Sequence, residues 1–105
     1  MPYHVVKIYP NGEIEENIQP KAPVYKELRD FVSGLIQTVP HLNNLSVLTT
    51  NLKRGQMIVN EEGILLNMPF NTVATKIWLE NLGKGSFSYE PKLYGNAIYW
   101  AKVKT

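Results

Sequence analysis

The stretch Met57-Ile-Val-Asn-Glu-Glu-Gly-Ile-Leu-Leu-Asn-Met-Pro-Phe-Asn-Thr-Val-Ala-Thr75 decides the fold, because it holds the signals for a hairpin followed by a helix. Asn60 is expected to cap a tight turn, and Gly63 is expected to take the left-handed conformation that closes the hairpin. Pro69 then ends the second strand. Asn71 predicts a helix N-cap, because its side-chain oxygen can accept from amides of the first helical turn.

Length and composition limit the architecture. The chain has 105 residues, of which 44% are hydrophobic, and this is enough for one core and one domain over residues 1–105. It has neither a long apolar run nor a signal-peptide pattern, so we expect a soluble, cytoplasmic protein that does not bind membranes. Cysteine is absent, which excludes disulfides, thiolate nucleophiles and cysteine metal sites.

The charge of the chain is uneven. Residues 1–50 carry four basic and five acidic side chains, a sum of −1, and residues 51–105 carry seven basic and four acidic ones, a sum of +3. The basic second half favours a phosphate-bearing ligand. Duplex nucleic acid is a less favoured partner, because no clustered lysine and arginine stripe is present.

The first elements are predicted to be a hairpin and a helix. Pro10-Asn11-Gly12 forms a three-residue loop that places Ile8 opposite Ile14 and Lys7 opposite Glu15. After Pro23, apolar residues recur at spacings of three and four, which predicts an amphipathic helix. The members of that apolar stripe are Val24, Leu28, Phe31, Val32 and Leu35.

Three further elements complete the prediction. Alternation over residues 45–50 predicts a strand, and a second apolar stripe from Val73 to Leu82 predicts a second helix. Residues 93–105 alternate with apolar side chains on both faces, so this last strand is expected inside the sheet. We predict an α+β fold in the order ββαββαβ, with a mixed, mainly antiparallel sheet and both helices on one face. A ubiquitin-like β-grasp is the alternative.

Candidate ligand-binding residues follow from charge and helix geometry. The start of the second helix offers free amides beside a cation, Lys76, and this arrangement favours anions. Lys53 and Arg54 lie beside a glycine in a polar loop, and an aromatic ring can stack on a base. The predicted set is Lys53, Arg54, Asn71, Thr72, Thr75, Lys76, Tyr94 and Trp100, although core packing is an alternative role for Trp100.

Catalysis is not expected. His4 and His41 lie in different segments without metal-site spacing, and no serine has a nucleophile-elbow context. Glu61 and Glu62 are expected at a solvated turn, where carboxylates keep ordinary acidity. The predictions therefore include no catalytic residue, no metal and no cofactor.

The chain resembles a small domain family of unknown function carried by bacteriophages, plasmids and their bacterial hosts. The resemblance rests on the run Met57 to Gly63, on the helix after the N-terminal hairpin and on the ending Tyr94 to Ile98. Between these, the matching positions are Leu65, Pro69, Asn71, Ala74 and Thr75. The family brings no established reaction. It implies a mobile-element context, in which small non-enzymatic proteins commonly block host defences or adjust host factors.

Three non-enzymatic functions therefore remain open. The first is a homo-oligomeric counter-defence protein that sequesters an anionic nucleotide-like ligand at the residues given above. The second is an inhibitor or modulator that contacts a host protein through the exposed aromatics Phe70, Phe87 and Tyr89. A weak nucleic-acid-binding accessory protein is a third alternative.

Overall fold

The structure is a computed structural model, which describes residues 2–39, 56–82 and 92–102, with side chains up to residue 80 in the second range. Over these residues the order is strand, strand, helix, strand, strand, helix, strand, as predicted. The elements are β1 (Tyr3–Ile8), β2 (Ile14–Gln19), α1 (Tyr25–Val32), β3 (Ile36–Val39), β4 (Gln56–Asn60), α2 (Thr72–Leu82) and β5 (Ala97–Lys102).

The described strands form one sheet in the order β2-β1-β5-β4-β3, and every recorded strand pairing is antiparallel. The predicted α+β class and element order are confirmed. The last strand lies inside the sheet between β1 and β4, which its apolar character on both faces predicted. The ubiquitin-like alternative does not hold, because that fold pairs its first and last strands in parallel.

The N-terminal hairpin has the predicted loop and register. Ile8 lies opposite Ile14, and Lys7 lies opposite Glu15. The Tyr9 amide donates to the Glu13 carbonyl at 2.9 Å, and Gly12 has φ +94°, which is the left-handed bulge position that favours glycine. The loop residues therefore set the strand alignment as expected.

The two helices cover opposite faces of the sheet, so the prediction that both lie on one face is wrong. Neighbouring residues of a strand point to opposite faces, and here they join different cores. The α1 core contains Val5, Leu28, Val32, Ile58 and Ile98. The α2 core contains Val6, Ile8, Val39, Met57, Val59, Ala74, Ile77, Leu93, Ala97, Tyr99 and Ala101.

Helix α1 is shorter than its apolar stripe. Leu28 and Val32 are buried, but Ser33 takes a left-handed conformation with φ 66° and ends the helix before Leu35. Val24 and Leu35, the ends of the predicted stripe, are exposed. The chain then enters β3 at Ile36, earlier than the strand predicted over residues 45–50, which lies outside the described residues.

The predicted hairpin after β4 does not form. Residues 61–67 are a turn instead of a second strand, and Gly63 does not have a left-handed backbone. The left-handed residue is Asn67, with φ 53°. The expectations of a second strand before Pro69 and of a left-handed Gly63 are therefore wrong.

Candidate functional site

Asn71 is the centre of a buried hydrogen-bond network at the start of α2. Its Oδ1 accepts from the Ala74 amide at 3.0 Å, which confirms the predicted N-cap. Its Nδ2 donates to the Ile8 carbonyl at 3.1 Å and to the Gly95 carbonyl at 2.8 Å. The side chain is fully buried, and both of its polar atoms bind protein groups.

Thr75 holds the same region together. Its Oγ1 accepts from the Leu93 amide at 2.9 Å, and the Leu93 carbonyl accepts from the Asn71 amide at 2.8 Å. Gly95, with φ +81°, donates its amide to the Pro69 carbonyl at 2.7 Å. Asn71 and Thr75, two of the residues predicted to bind a ligand, therefore anchor the segment that leads into β5.

Asn60 forms a second anchor at the end of β4. Its Nδ2 donates to the Val32 carbonyl at the end of α1 at 2.9 Å, and its Oδ1 accepts from the Glu62 amide at 2.7 Å. The predicted turn-capping role of Asn60 is thus confirmed. Gly63 packs tightly, because a Cβ built there would lie 3.1 Å from both the Cβ and the carbonyl oxygen of Tyr94.

The turn after β4 closes with its own backbone bonds. The Leu66 amide donates to Glu62, and the amides of Asn67 and Met68 donate to Ile64 and Gly63 at 3.1 and 3.0 Å. The last two bonds, with a left-handed Asn67, form the Schellman motif that ends helical turns. One helical turn therefore stands where a strand was predicted.

The outer surface of this turn is apolar. Ile64, Leu65 and Leu66 are 68%, 81% and 54% exposed, and we name these three residues the apolar tip. Phe70, predicted as a protein contact, is 42% exposed and packs edge-on against Tyr94 with ring centroids 5.7 Å apart. Because Gly63 lies against Tyr94, the aromatic pair is next to the turn that carries the apolar tip.

Two cavities adjoin this region. A cleft of about 540 Å³ contains no charged side chain, and its lining is Tyr9, Pro10, Asn11, Val32, Ser33, Met68, Pro69, Gly95 and Asn96. A smaller cavity of about 320 Å³ includes Glu61, Glu62, Lys92 and Tyr94 in its lining. The cleft has no cation in its lining, and the smaller cavity combines Lys92 with Tyr94 but also with two glutamates, whose negative charges disfavour an anionic ligand.

Of the predicted ligand residues that the structure describes, Asn71, Thr75 and Tyr94 lie around the start of α2, and Trp100 lies apart from them. Thr72 and Lys76 are exposed on α2, whereas Trp100 is half-buried and packs in the α1 core across the sheet. Tyr94 lies near the start of α2, paired with Phe70. The remaining predicted contacts, Lys53, Arg54, Phe87 and Tyr89, lie outside the described residues.

Among the side chains that the structure describes, the Tyr99 hydroxyl and the Trp78 Nε1 are buried without a hydrogen-bond partner. Tyr99 is fully buried in the α2 core, and burial raises the pKa of its phenol to about 12. Within the described ranges, no group of three or more His, Asp or Glu side chains is arranged to hold a metal ion. No helix in the same ranges is long and apolar enough to cross a membrane.

Comparison of the chain with protein-family models, curated proteins and solved structures finds no match. The resemblance to the mobile-element family therefore stays a prediction. The sequence patterns do not predict the apolar tip, because they favour a strand over its three aliphatic residues. The signal present in the sequence is Asn67 with Pro69 two positions later, because asparagine just after a helical turn and a proline soon after it are typical of a helix end.

Proposed function

We propose that this protein is a non-catalytic binding module that docks on another protein through the apolar tip and Phe70. The observation that carries the proposal is the exposure of three consecutive aliphatic side chains on a turn with a closed backbone. Large apolar groups that are exposed together are a common mark of protein contact sites. Folding alone does not require them, since they lie outside both cores.

The geometry of the turn suits binding. Its backbone is fixed by the Schellman bonds and by the contact of Gly63 with Tyr94, so docking orders little additional chain. A rigid apolar anchor therefore loses less conformational entropy on binding than a flexible one. Burying one aliphatic side chain contributes about 1.5 to 3 kcal/mol, and three adjacent anchors can dominate an interface.

The kind of partner follows from the resemblance described above. A mobile-element context favours a host protein as the target, and blocking of a host defence or housekeeping factor is the corresponding role. Blocking of this kind needs binding alone and no catalysed reaction.

Sequestration of an anionic nucleotide-like ligand has weaker support. Asn71 and Thr75 use their side-chain polar atoms within the protein, and Trp100 lies across the sheet from Lys76. Calorimetric titration with cyclic and linear nucleotides tests this alternative. Binding heat at tens of micromolar protein, lost on substitution of Lys76, would favour it over protein docking.

The test of protein docking replaces Leu65 with aspartate. The immobilised wild-type protein is expected to capture specific proteins from a bacterial lysate, and L65D is expected to lose them. The matched control is V24D, which adds the same charge at a position that is 57% exposed at the start of α1. Equal capture by L65D and wild type would contradict the proposal.

Sedimentation velocity completes the test, because an apolar surface can also join copies of the same chain. If the apolar tip mediates self-association, wild-type protein will form a dimer or larger species that L65D does not form. A monomeric wild type together with captured host proteins is the expected result.

A further inference from the structure

Among the residues that the structure describes, the outer edge of β2 has no pairing partner for its backbone groups. The Tyr9 amide binds the Glu13 carbonyl, and hydrogen-bonded pairs alternate along an antiparallel ladder. Glu15 and Asn17 therefore direct their backbone groups toward β1, whereas Ile14, Glu16 and Ile18 direct theirs outward. Among the described strands, β2 pairs only with β1, so this outward row is open to another strand.

An acidic groove runs beside this edge on the α1 side of the sheet. Its volume is about 410 Å³, and its lining is Val5, Lys7, Glu15, Glu16, Asn17, Gln19, Glu27 and Ile98. Val5 and Ile98 are buried and give the groove an apolar floor. The side chains of Glu15 and Glu27 are exposed, one on β2 and one on α1.

The lysine in the groove does not neutralise these carboxylates by direct pairing. Lys7 lies opposite Glu15 in the ladder, but its amine lies 5.2 Å from the centroid of the Phe31 ring. No Lys7–Glu15 ion pair occurs within 4 Å, and the Glu16 carboxylate lies 3.5 Å from the His4 Nε2. The Tyr9 hydroxyl also interacts with the Glu15 carboxylate but is uncharged, so the negative charges of Glu15 and Glu27 remain available to an external cation.

We propose that β2 and the acidic groove bind a basic, extended polypeptide segment by strand addition. The segment pairs with the outward backbone groups of Ile14, Glu16 and Ile18. Its lysine or arginine side chains lie with their aliphatic stems over the apolar floor and their charged ends near Glu15 and Glu27. Its alternate residues are apolar and cover Ile18, which is 63% exposed on the opposite face of the sheet.

Charge favours a basic segment over a second copy of the chain. Antiparallel pairing of β2 with β2 would place Glu15 and Glu16 of one copy close to the same residues of the other. Like charges on adjacent strands destabilise pairing. A segment of alternating basic and apolar residues instead matches the acidic groove on one face and the exposed isoleucines on the other.

The test uses a capped heptapeptide of alternating valine and lysine. Calorimetry gives its affinity, and amide hydrogen exchange followed by NMR gives its position. On binding, the amides of Ile14, Glu16 and Ile18 are expected to become protected. A peptide of alternating valine and glutamate is expected not to bind, and equal binding of the two peptides would refute the charge argument.

Side-chain variants test the groove. The double variant E15Q/E27Q is expected to bind the lysine peptide about three- to tenfold more weakly, as expected for the loss of two exposed charge pairs. The control E61Q/E62Q makes the same charge change on the turn after β4 and is expected to leave the affinity unchanged. If both double variants bound the peptide equally weakly, the effect would come from the net charge of the protein, and the proposed site would be refuted.

A backbone variant tests strand addition. I18P removes an outward amide without removing a bond to β1, so the fold is retained while pairing at the edge is blocked. I18T keeps the amide and is the control. Binding of the peptide to I18P as tightly as to I18T would overturn the proposal. Protection of the β2 amides that increases with protein concentration, without peptide, would also overturn it, because a second copy of the chain would then occupy the edge. These results are separate from the docking role of the apolar tip, which the L65D capture experiment measures.

Discussion

Replacement of Asn71 by aspartate separates the two roles of this side chain. Aspartate is as good an N-cap as asparagine, so the bond from the Ala74 amide is kept. The two bonds from Nδ2 to the carbonyls of Ile8 and Gly95 are lost, and a carboxylate oxygen is placed against them. If Asn71 were only a helix cap, N71D would leave the free energy of unfolding unchanged.

The magnitude follows from the burial of the site. Each unpaired buried polar group costs about 1 to 3 kcal/mol, and an uncompensated charge adds to that cost. We therefore expect N71D to lower the free energy of unfolding by about 3 to 5 kcal/mol at pH 7. N71A, which also loses the cap but introduces no charge, is expected to lower it by about 3 kcal/mol. The total free energy of unfolding of a domain of this size is about 5 to 15 kcal/mol.

The assay is urea unfolding followed by circular dichroism, with T72A as the control. Thr72 is exposed beside Asn71, and T72A is expected to change the free energy by less than about 0.5 kcal/mol. At lower pH the stability lost in N71D is expected to become smaller, because protonation of the new carboxyl restores one hydrogen-bond donor. An N71D protein within about 0.5 kcal/mol of wild type would refute the structural role of the network.

Three other variants give direct tests. G63A is expected to lose about 1 to 3 kcal/mol in the same assay, because its Cβ would lie 3.1 Å from backbone and side-chain atoms of Tyr94; wild-type stability would show that the turn moves freely. Stability should fall by about 2 to 3 kcal/mol between pH 10 and 12, since the raised pKa of Tyr99 keeps its phenol protonated in the folded state while the unfolded chain ionises. Y99F is expected to lack this loss of stability at high pH, and the absorbance of tyrosinate in the two proteins measures the ionisation of Tyr99. The same pH profile of stability in Y99F and wild type would contradict a buried phenol. L65D is expected to change the free energy of unfolding by less than about 0.5 kcal/mol, because Leu65 is 81% exposed, and a large loss would show that the apolar tip supports the fold.

Local sequence signals predicted the elements whose geometry is decided locally. Pro10-Asn11-Gly12 set the hairpin register, because a three-residue loop with a left-handed glycine permits one alignment. Asn71 was recognisable as an N-cap from its position before an apolar stripe. The end of α1 was not predictable in this way, since Ser33 takes a left-handed backbone that serine rarely adopts.

The placement of the helices on opposite faces of the sheet follows from adjacent apolar residues in the central strands, a pattern that the prediction did not use. Val5 and Val6 are adjacent and both buried, as are Met57, Ile58 and Val59, so the central strands are apolar on both faces. Strands of this kind need cover on both sides of the sheet. This pattern already excluded two helices on one face.

The polar residues of the predicted site were ambiguous for a physical reason. Asparagine and threonine at a helix start can bind an anion or can bind backbone groups from another segment, and sequence spacing does not distinguish the two. Here Asn71 and Thr75 meet the backbone of residues 93–95, which lie about twenty positions later. Only the tertiary fold brings these groups together.

The closed backbone of the turn after β4 also affects how the chain can diversify. Ile64, Leu65 and Leu66 project outward from bonds made by main-chain atoms, so neither core constrains their identity. Three neighbouring codons can therefore change target preference while the scaffold keeps its thermodynamic stability. A library randomised at these positions alone should yield mostly folded members, which makes the turn a convenient place for laboratory retargeting.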